Sequence, residues 1–90
     1  MTVLYAILER QIRKTLCIDG GTINPEKATF DSLGADSMDC LNIAVALNDA
    51  LKIDMTLNDE IRLFGKNGSN TLTQAEAVLE EIMQRRDSTS

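Results

Sequence analysis

The sequence contains no histidine and no tryptophan, only one proline, and few aromatic residues (3%). Without histidine the chain cannot form a Ser-His-Asp triad, a Cys-His nucleophile or a histidine-liganded metal site. Basic residues are also few, 9 against 14 acidic ones, and the net charge of −5 argues against binding a phosphate backbone. We therefore expect no self-sufficient enzyme, no metal site and no nucleic-acid partner.

Long apolar runs are missing as well, and none approaches the roughly 20 residues of a membrane span. We expect no membrane insertion. The N-terminus has no secretory signal pattern, so Cys17 and Cys40 fit reduced thiols in the cytoplasm better than a disulfide. What the chain does have is a hydrophobic fraction of 43% over 90 residues, which suits one small, monomeric domain with its own core.

Helical periodicity predicts a first helix from Val3 to Leu16, a second from Ser37 to Leu51 and a short third from Leu57 to Phe64. Residues 17–36 lack this periodicity. They still hold scattered apolar side chains such as Phe30, so we expect a long loop that is pinned onto the core.

Glycines and asparagines in the 65–70 linker predict a polar turn after the third helix. The last helix begins near Thr71 or Thr73, with Glu76 completing a capping box in the second case. No segment alternates with the period of a strand. The prediction is an all-α fold, a small four-helix bundle over residues 1–86, followed by a disordered tail at 87–90.

The second helix has two apolar faces when its residues are placed at about 100° each. The wider face carries Ile43, Leu47 and Leu51 and is the natural core face. A bundle helix needs only one such face. The narrower stripe of Met38, Leu41 and Val45 is therefore predicted to be exposed, as a surface for a partner protein.

The run Gly34-Ala35-Asp36-Ser37-Met38-Asp39 places a hydroxyl between two carboxylates at the start of this helix. As a nucleophile Ser37 has no base to activate it. Serine and aspartate are both favoured N-caps, so either Ser37 or Asp36 fits that role.

This run resembles the attachment motif of acyl carrier proteins, Gly-Ala-Asp-Ser-Leu-Asp, and differs from it only at Met38. The chain is similar to that family in size, acidity and order of elements. The resemblance implies an acyl-carrier-type bundle, in which a phosphopantetheinyl transferase attaches 4′-phosphopantetheine from coenzyme A to Ser37, with Asp36 as a recognised neighbour. It also implies that the thiol of this arm carries acyl groups as thioesters, while partner enzymes supply the catalysis.

The resemblance implies a partner surface on the second helix, formed by Met38, Asp39, Leu41, Asn42, Val45 and Asp49. Asn42, Asn48 and Ala50 stand where many fatty-acid carriers have glutamates. The surface is less acidic than the common pattern, and the 65–70 linker is longer. These departures predict a specialised carrier that serves acyl-loading enzymes, synthases or acyltransferases of fatty-acid, polyketide or specialised lipid biosynthesis.

Three alternatives stay open at this point. The cargo could be an amino acid or peptide, as in non-ribosomal peptide synthesis or D-alanine transfer. The chain could instead be an unmodified helical adaptor in which Ser37 is only an N-cap. Finally, the space between the helices could be a dry core or a cavity for the growing chain, lined by Ile43, Leu47, Leu63 and Val78.

Overall fold

The computed structural model describes residues 2–88 and has four α-helices: α1 (Val3–Leu16), α2 (Ser37–Leu51), α3 (Leu57–Phe64) and α4 (Leu72–Ser88). The first three begin and end at the predicted residues. Extended pairing within residues 2–88 is limited to one isolated bridge, between Thr29 and Thr71. The prediction of an all-α fold is confirmed. None of the described helices is long and apolar enough to cross a membrane.

Helix α1 begins at Thr2, whose hydroxyl accepts a hydrogen bond from the Tyr5 backbone N–H at 3.0 Å. Its inner face buries Tyr5 together with Leu8 and Ile12. The Tyr5 hydroxyl donates to the Glu9 carboxylate at 3.0 Å, so its polar end is satisfied although the ring lies in the core. Tyr5 is a core residue that was not predicted.

The loop at 17–36 is pinned to the bundle, as predicted. Phe30 is completely buried, and Ile18, Ile23 and Leu33 are half-buried against the same core. The Arg13 guanidinium fixes the first part of the loop by donating to the carbonyl oxygens of Gly20 and Gly21 at 2.8 and 2.7 Å. These contacts hold a long segment in place without regular secondary structure.

The core is a single cluster of buried apolar side chains from the four helices and the connections between them. On α2 its members are Ile43, Ala44, Leu47 and Leu51, so the predicted core face of this helix is confirmed. The other members are Tyr5, Leu8, Ile12, Phe30, Met55, Leu63, Phe64, Leu72, Ala75, Leu79 and Ile82.

Helix α4 begins after Thr71, and the predicted capping box of Thr73 with Glu76 is wrong. The Gln74 backbone N–H donates to the Thr71 hydroxyl at 3.2 Å, and the Gln74 side chain accepts from the Thr71 N–H at 2.8 Å. Glu76 lies beyond this turn and accepts a hydrogen bond from the Thr2 hydroxyl instead. The helix continues through Ser88. The disordered tail at 87–90 stays a prediction, because residues 89 and 90 lie outside the described residues.

One buried carboxylate attaches α3 to α4. Asp59 is only 1% exposed and completes a capping box with Thr56 at the start of α3. The Arg85 guanidinium donates to the same carboxylate at 2.6 Å from the end of α4. This hydrogen bond is the main reason why the pKa of Asp59 lies below its usual value, although burial acts in the opposite direction.

Candidate functional site

Asp36 is the N-cap of α2, so it is Asp36 and not Ser37 that fills the role predicted for either residue. The Asp36 carboxylate accepts from the Asp39 backbone N–H at 2.8 Å, and the Asp39 carboxylate accepts from the Asp36 N–H at 3.2 Å. This capping box contributes about 1 kcal/mol to the stability of the helix. Ser37 is consequently the first helical residue and does not cap the helix.

The Ser37 side chain is exposed, and among residues 2–88 no hydrogen bond engages its hydroxyl. The backbone N–H groups of Ser37 and Met38 also lack partners there, as expected for the first donors of a helix. The hydroxyl is thus accessible, not activated by its own chain, and placed where free N–H groups and the helix dipole favour an anion.

The turn before α2 fixes this serine in place. Gly34 adopts φ +90°, a conformation that favours glycine, and its N–H donates to the Asp31 carbonyl at 3.0 Å. The Ala35 N–H donates to the Phe30 carbonyl at 3.0 Å. Phe30 in turn packs its ring edge-to-face on Phe64, with 4.8 Å between ring centroids and an interplanar angle of 80°. The position of Ser37 is therefore tied to the core.

A groove of about 790 Å³ opens beside Ser37, between the start of α2, helix α3 and the linker that follows α3. Its walls are part apolar and part charged. The lining includes Asp31, Asp36, Ser37, Met38, Cys40, Leu41, Leu57, Glu60, Ile61, Phe64 and Lys66.

This groove differs from the cavity that was one of the alternatives for the space between the helices. Ile43, Leu47 and Leu63, three of the four residues predicted to line that cavity, are completely buried members of the core, and Val78 packs against it half-buried. None of the four lines the groove. Between these residues the dry-core alternative fits the structure, because their apolar surface is already buried against other side chains.

The narrow stripe of α2 is exposed, as predicted: Met38 is 62% exposed, Leu41 49% and Val45 59%. Two apolar residues of α3 are also exposed, Leu57 at 74% and Ile61 at 59%, and the sequence analysis missed them. Their spacing of four residues on a short helix whose opposite side is buried was the available signal. Met38 and Leu41 meet Leu57 and Ile61 at the same groove.

The polar residues of the predicted partner surface occupy different environments. Asn42 and Asp49 are exposed on α2, whereas Asp39 is half-buried in the capping box. Asn48 has a structural role, because its side-chain oxygen accepts from the Met55 backbone N–H at 3.0 Å. The Asn48 side chain therefore links α2 to the segment that leads into α3.

Both cysteines are free thiols. Cys17 is exposed at the end of α1, in a left-handed conformation with φ 56°. Cys40 is half-buried and lines the groove one turn after Ser37. Burial, followed by the nearby Asp39 and Asp36 carboxylates, raises the pKa of the Cys40 thiol, so this side chain is a poor nucleophile at neutral pH.

Comparison with known proteins gives one family match. Residues 6–61 match the family model of the phosphopantetheine attachment site. This range includes the whole start of α2. The chain belongs to the phosphopantetheine-attachment family. The group carried by this family is 4′-phosphopantetheine, held by a covalent bond, and the resemblance in the sequence is confirmed.

Curated relatives within the family are acyl carrier proteins. The chain is 46% identical over 46 residues to the acyl carrier protein AcpXL of Brucella melitensis, covering 51% of this chain and 50% of that protein. It is 39% identical over 57 residues to AcpXL of Rhizobium etli, covering 63% and 62%. The chain thus spans between half and two thirds of the length of these relatives. No solved structure gives a significant match.

Proposed function

We propose that this chain is an acyl carrier protein whose 4′-phosphopantetheine arm is attached to Ser37. The observation that supports this most directly is the exposed Ser37 hydroxyl, which has no hydrogen-bond partner among the described residues. A serine kept only as an N-cap would use its hydroxyl to hold a backbone N–H. Asp36 fulfils that role here, which supports a role for Ser37 other than capping.

The site fits the phosphodiester of the arm. Attachment forms a bond between the Ser37 oxygen and the phosphorus while the pyrophosphate bond of coenzyme A breaks and adenosine 3′,5′-bisphosphate leaves. No group of the described chain forms a hydrogen bond with the hydroxyl, so the serine proton passes to a base of the transferase. The free N–H groups of Ser37 and Met38 can then donate to phosphate oxygens, and the helix dipole favours the new negative charge.

Partner enzymes supply the remaining chemistry. The arm contributes a thiol that holds acyl groups as thioesters, and the protein contributes its position and recognition. We propose Met38, Leu41 and Val45 as apolar contacts for the transferase and for acyl-loading, synthase or acyltransferase enzymes. Asp36, Asp39, Asn42 and Asp49 form the polar rim, which mainly sets the rate and specificity of encounter.

Several further features are part of the proposal. The cargo is acyl rather than aminoacyl, in keeping with the relatives named acyl carrier proteins. The low acidity of the α2 surface and the long 65–70 linker support a carrier with dedicated partners in lipid biosynthesis. We also propose that it acts as a monomer in the cytoplasm, without catalysing a reaction itself.

Mass spectrometry of the intact protein tests the attachment. Incubation with coenzyme A and a promiscuous phosphopantetheinyl transferase should add about 340 Da to the wild-type chain. The Ser37→Ala variant should gain nothing. Ser69→Ala, which alters another exposed serine at the far end of the linker, is the matched control and should gain the same mass as wild type. No gain in the wild type, or an equal gain in Ser37→Ala, contradicts the proposal.

A loading assay tests the cargo. The phosphopantetheinylated protein is offered to an acyl-loading enzyme with a fatty acid and, separately, to an adenylating enzyme with an amino acid. A thioester adduct in the first reaction alone agrees with an acyl carrier. An adduct in the second alone identifies an aminoacyl carrier and overturns that part of the proposal.

A further inference from the structure

The 65–70 linker is a fixed element and not a loose connection. Gly65, Asn67 and Gly68 all have positive φ values, of 77°, 57° and 72°. The Asn70 side chain donates to the Arg62 and Leu63 carbonyls at 2.7 and 3.1 Å, which satisfies the C-terminal end of α3. A Cβ atom on Gly65 would lie 2.6 Å from the Asn70 side-chain oxygen, so the linker folds closely on itself.

The other side of the linker is attached to the loop that leads to Ser37. The Gly68 carbonyl accepts from the Asp31 backbone N–H at 2.9 Å, and Gly68 itself is buried. A Cβ atom on Gly68 would approach the Asp31 nitrogen to 3.1 Å. The linker and the Asp31 backbone are thus closely packed, and the linker forms a wall of the groove that Ser37 also lines.

Among the described residues, Lys66 provides the only positive charge of the groove lining. The same lining contains the carboxylates of Asp31, Asp36 and Glu60. The groove is therefore negative even before a phosphodiester at Ser37 adds a further charge. Lys66 is exposed and takes part in none of the ion pairs found within residues 2–88, so its ammonium group is available to an incoming anion.

We propose that Lys66 is a positioning residue that pairs with the phosphodiester of the arm and holds the arm in the groove. This inference rests on the proposed attachment at Ser37. A lysine ammonium is a compact charge suited to a single phosphate group. The rigid backbone of the linker restricts the positions that the Lys66 ammonium can reach. Because the pair is exposed to solvent, we expect it to raise the ratio of docked to free arm by about two- to five-fold.

The test uses the fully loaded protein and the single phosphorus atom of its arm. The ³¹P NMR shift of the phosphodiester is compared among wild type, Lys66→Gln, Lys66→Arg and the control Lys14→Gln, which removes an exposed lysine on α1 outside the groove lining. Lys66→Gln should move the resonance, while Lys66→Arg and Lys14→Gln should stay close to wild type. Raising the salt concentration from about 20 mM to about 0.5 M should move wild type towards Lys66→Gln.

A second measurement reports on the linker itself. On conversion from the unmodified to the loaded form, the backbone amide resonances of residues 66–68 should shift in wild type, and by about half as much or less in Lys66→Gln. Loading is verified by mass before each spectrum, so a slower transferase reaction does not affect the comparison.

The outcomes separate the two proposals. If wild type gains no mass, the attachment at Ser37 fails, and the role of Lys66 fails with it. If every variant is loaded and folded but the phosphorus resonance of Lys66→Gln equals that of wild type at low salt, only the role of Lys66 is overturned. Lys66 would then be a counter-ion for the carboxylates of the groove.

Discussion

Replacing Phe30 by leucine tests how firmly the loop that carries Ser37 is held by the core. Phe30 is completely buried and meets Phe64 edge-to-face at 4.8 Å. Loss of this aromatic pair removes about 0.5–1.5 kcal/mol. The space left by the smaller side chain adds on the order of 1 kcal/mol. We expect a total loss of about 1.5–2.5 kcal/mol from a free energy of unfolding of about 5–13 kcal/mol, so the variant should still fold.

Urea unfolding monitored by circular dichroism measures this loss of stability. A double-mutant cycle shows how much of the loss comes from the interaction between the two rings. The four proteins are wild type, Phe30→Leu, Phe64→Leu and the double variant, with a coupling of about 0.5–1.5 kcal/mol expected between the two rings. Leu57→Ala is the control, because Leu57 is exposed and its truncation should change stability by less than about 0.5 kcal/mol. A coupling below about 0.3 kcal/mol would refute the argument that the two rings jointly hold the loop.

Two further predictions concern carboxylates that have structural roles. Asp36→Ala should lower the free energy of unfolding by about 1 kcal/mol in urea titrations, whereas Asp36→Asn keeps the capping oxygen and should lose only a few tenths; equal losses would show that the Asp36 cap does not stabilise α2. The hydrogen bond from Arg85 is the main cause of the lowered pKa of Asp59 in the folded state. The carboxylate therefore stabilises the fold fully at pH values above its unfolded pKa of about 3.9. This stabilisation is lost as the pH falls through the lower folded pKa. The stability difference between wild type and Asp59→Asn should therefore be constant between neutral pH and about pH 5 and shrink below about pH 4. A difference that does not change with pH would contradict the pairing with Arg85.

The elements that the sequence predicted well depend on residues within one or two turns of each other. The capping pairs of Asp36 with Asp39 and of Thr56 with Asp59 are three residues apart, so the starts of α2 and α3 are visible in the sequence. The exposed and buried faces of α2 follow from the helical repeat alone. The choice between Thr71 and Thr73 was harder, because both are followed three residues later by a suitable partner.

The features that were missed depend on segments that are distant in the chain. Asp59 and Arg85 are separated by 26 positions, and helical periodicity gives no signal for their pairing. The position of Arg85 in the last turn of α4 points only to an interaction with the dipole of its own helix. The hydrogen bond between Asp31 and Gly68 also joins segments that are distant in the chain. The groove is formed by the same distant segments, so periodicity does not predict it either. Tyr5 is different, because it lies three residues before Leu8 and seven before Ile12, on the face that helical periodicity predicts to be buried.

The capping box at Asp36 has a consequence for the lifetime of the carrier. Because Asp36 and not Ser37 caps α2, forming or hydrolysing a bond at the Ser37 hydroxyl breaks no hydrogen bond among the described residues. We expect the backbone to keep the same shape through successive rounds of attachment and removal. A prosthetic group that is lost or damaged could then be replaced on the existing polypeptide, without degradation and new synthesis of the protein.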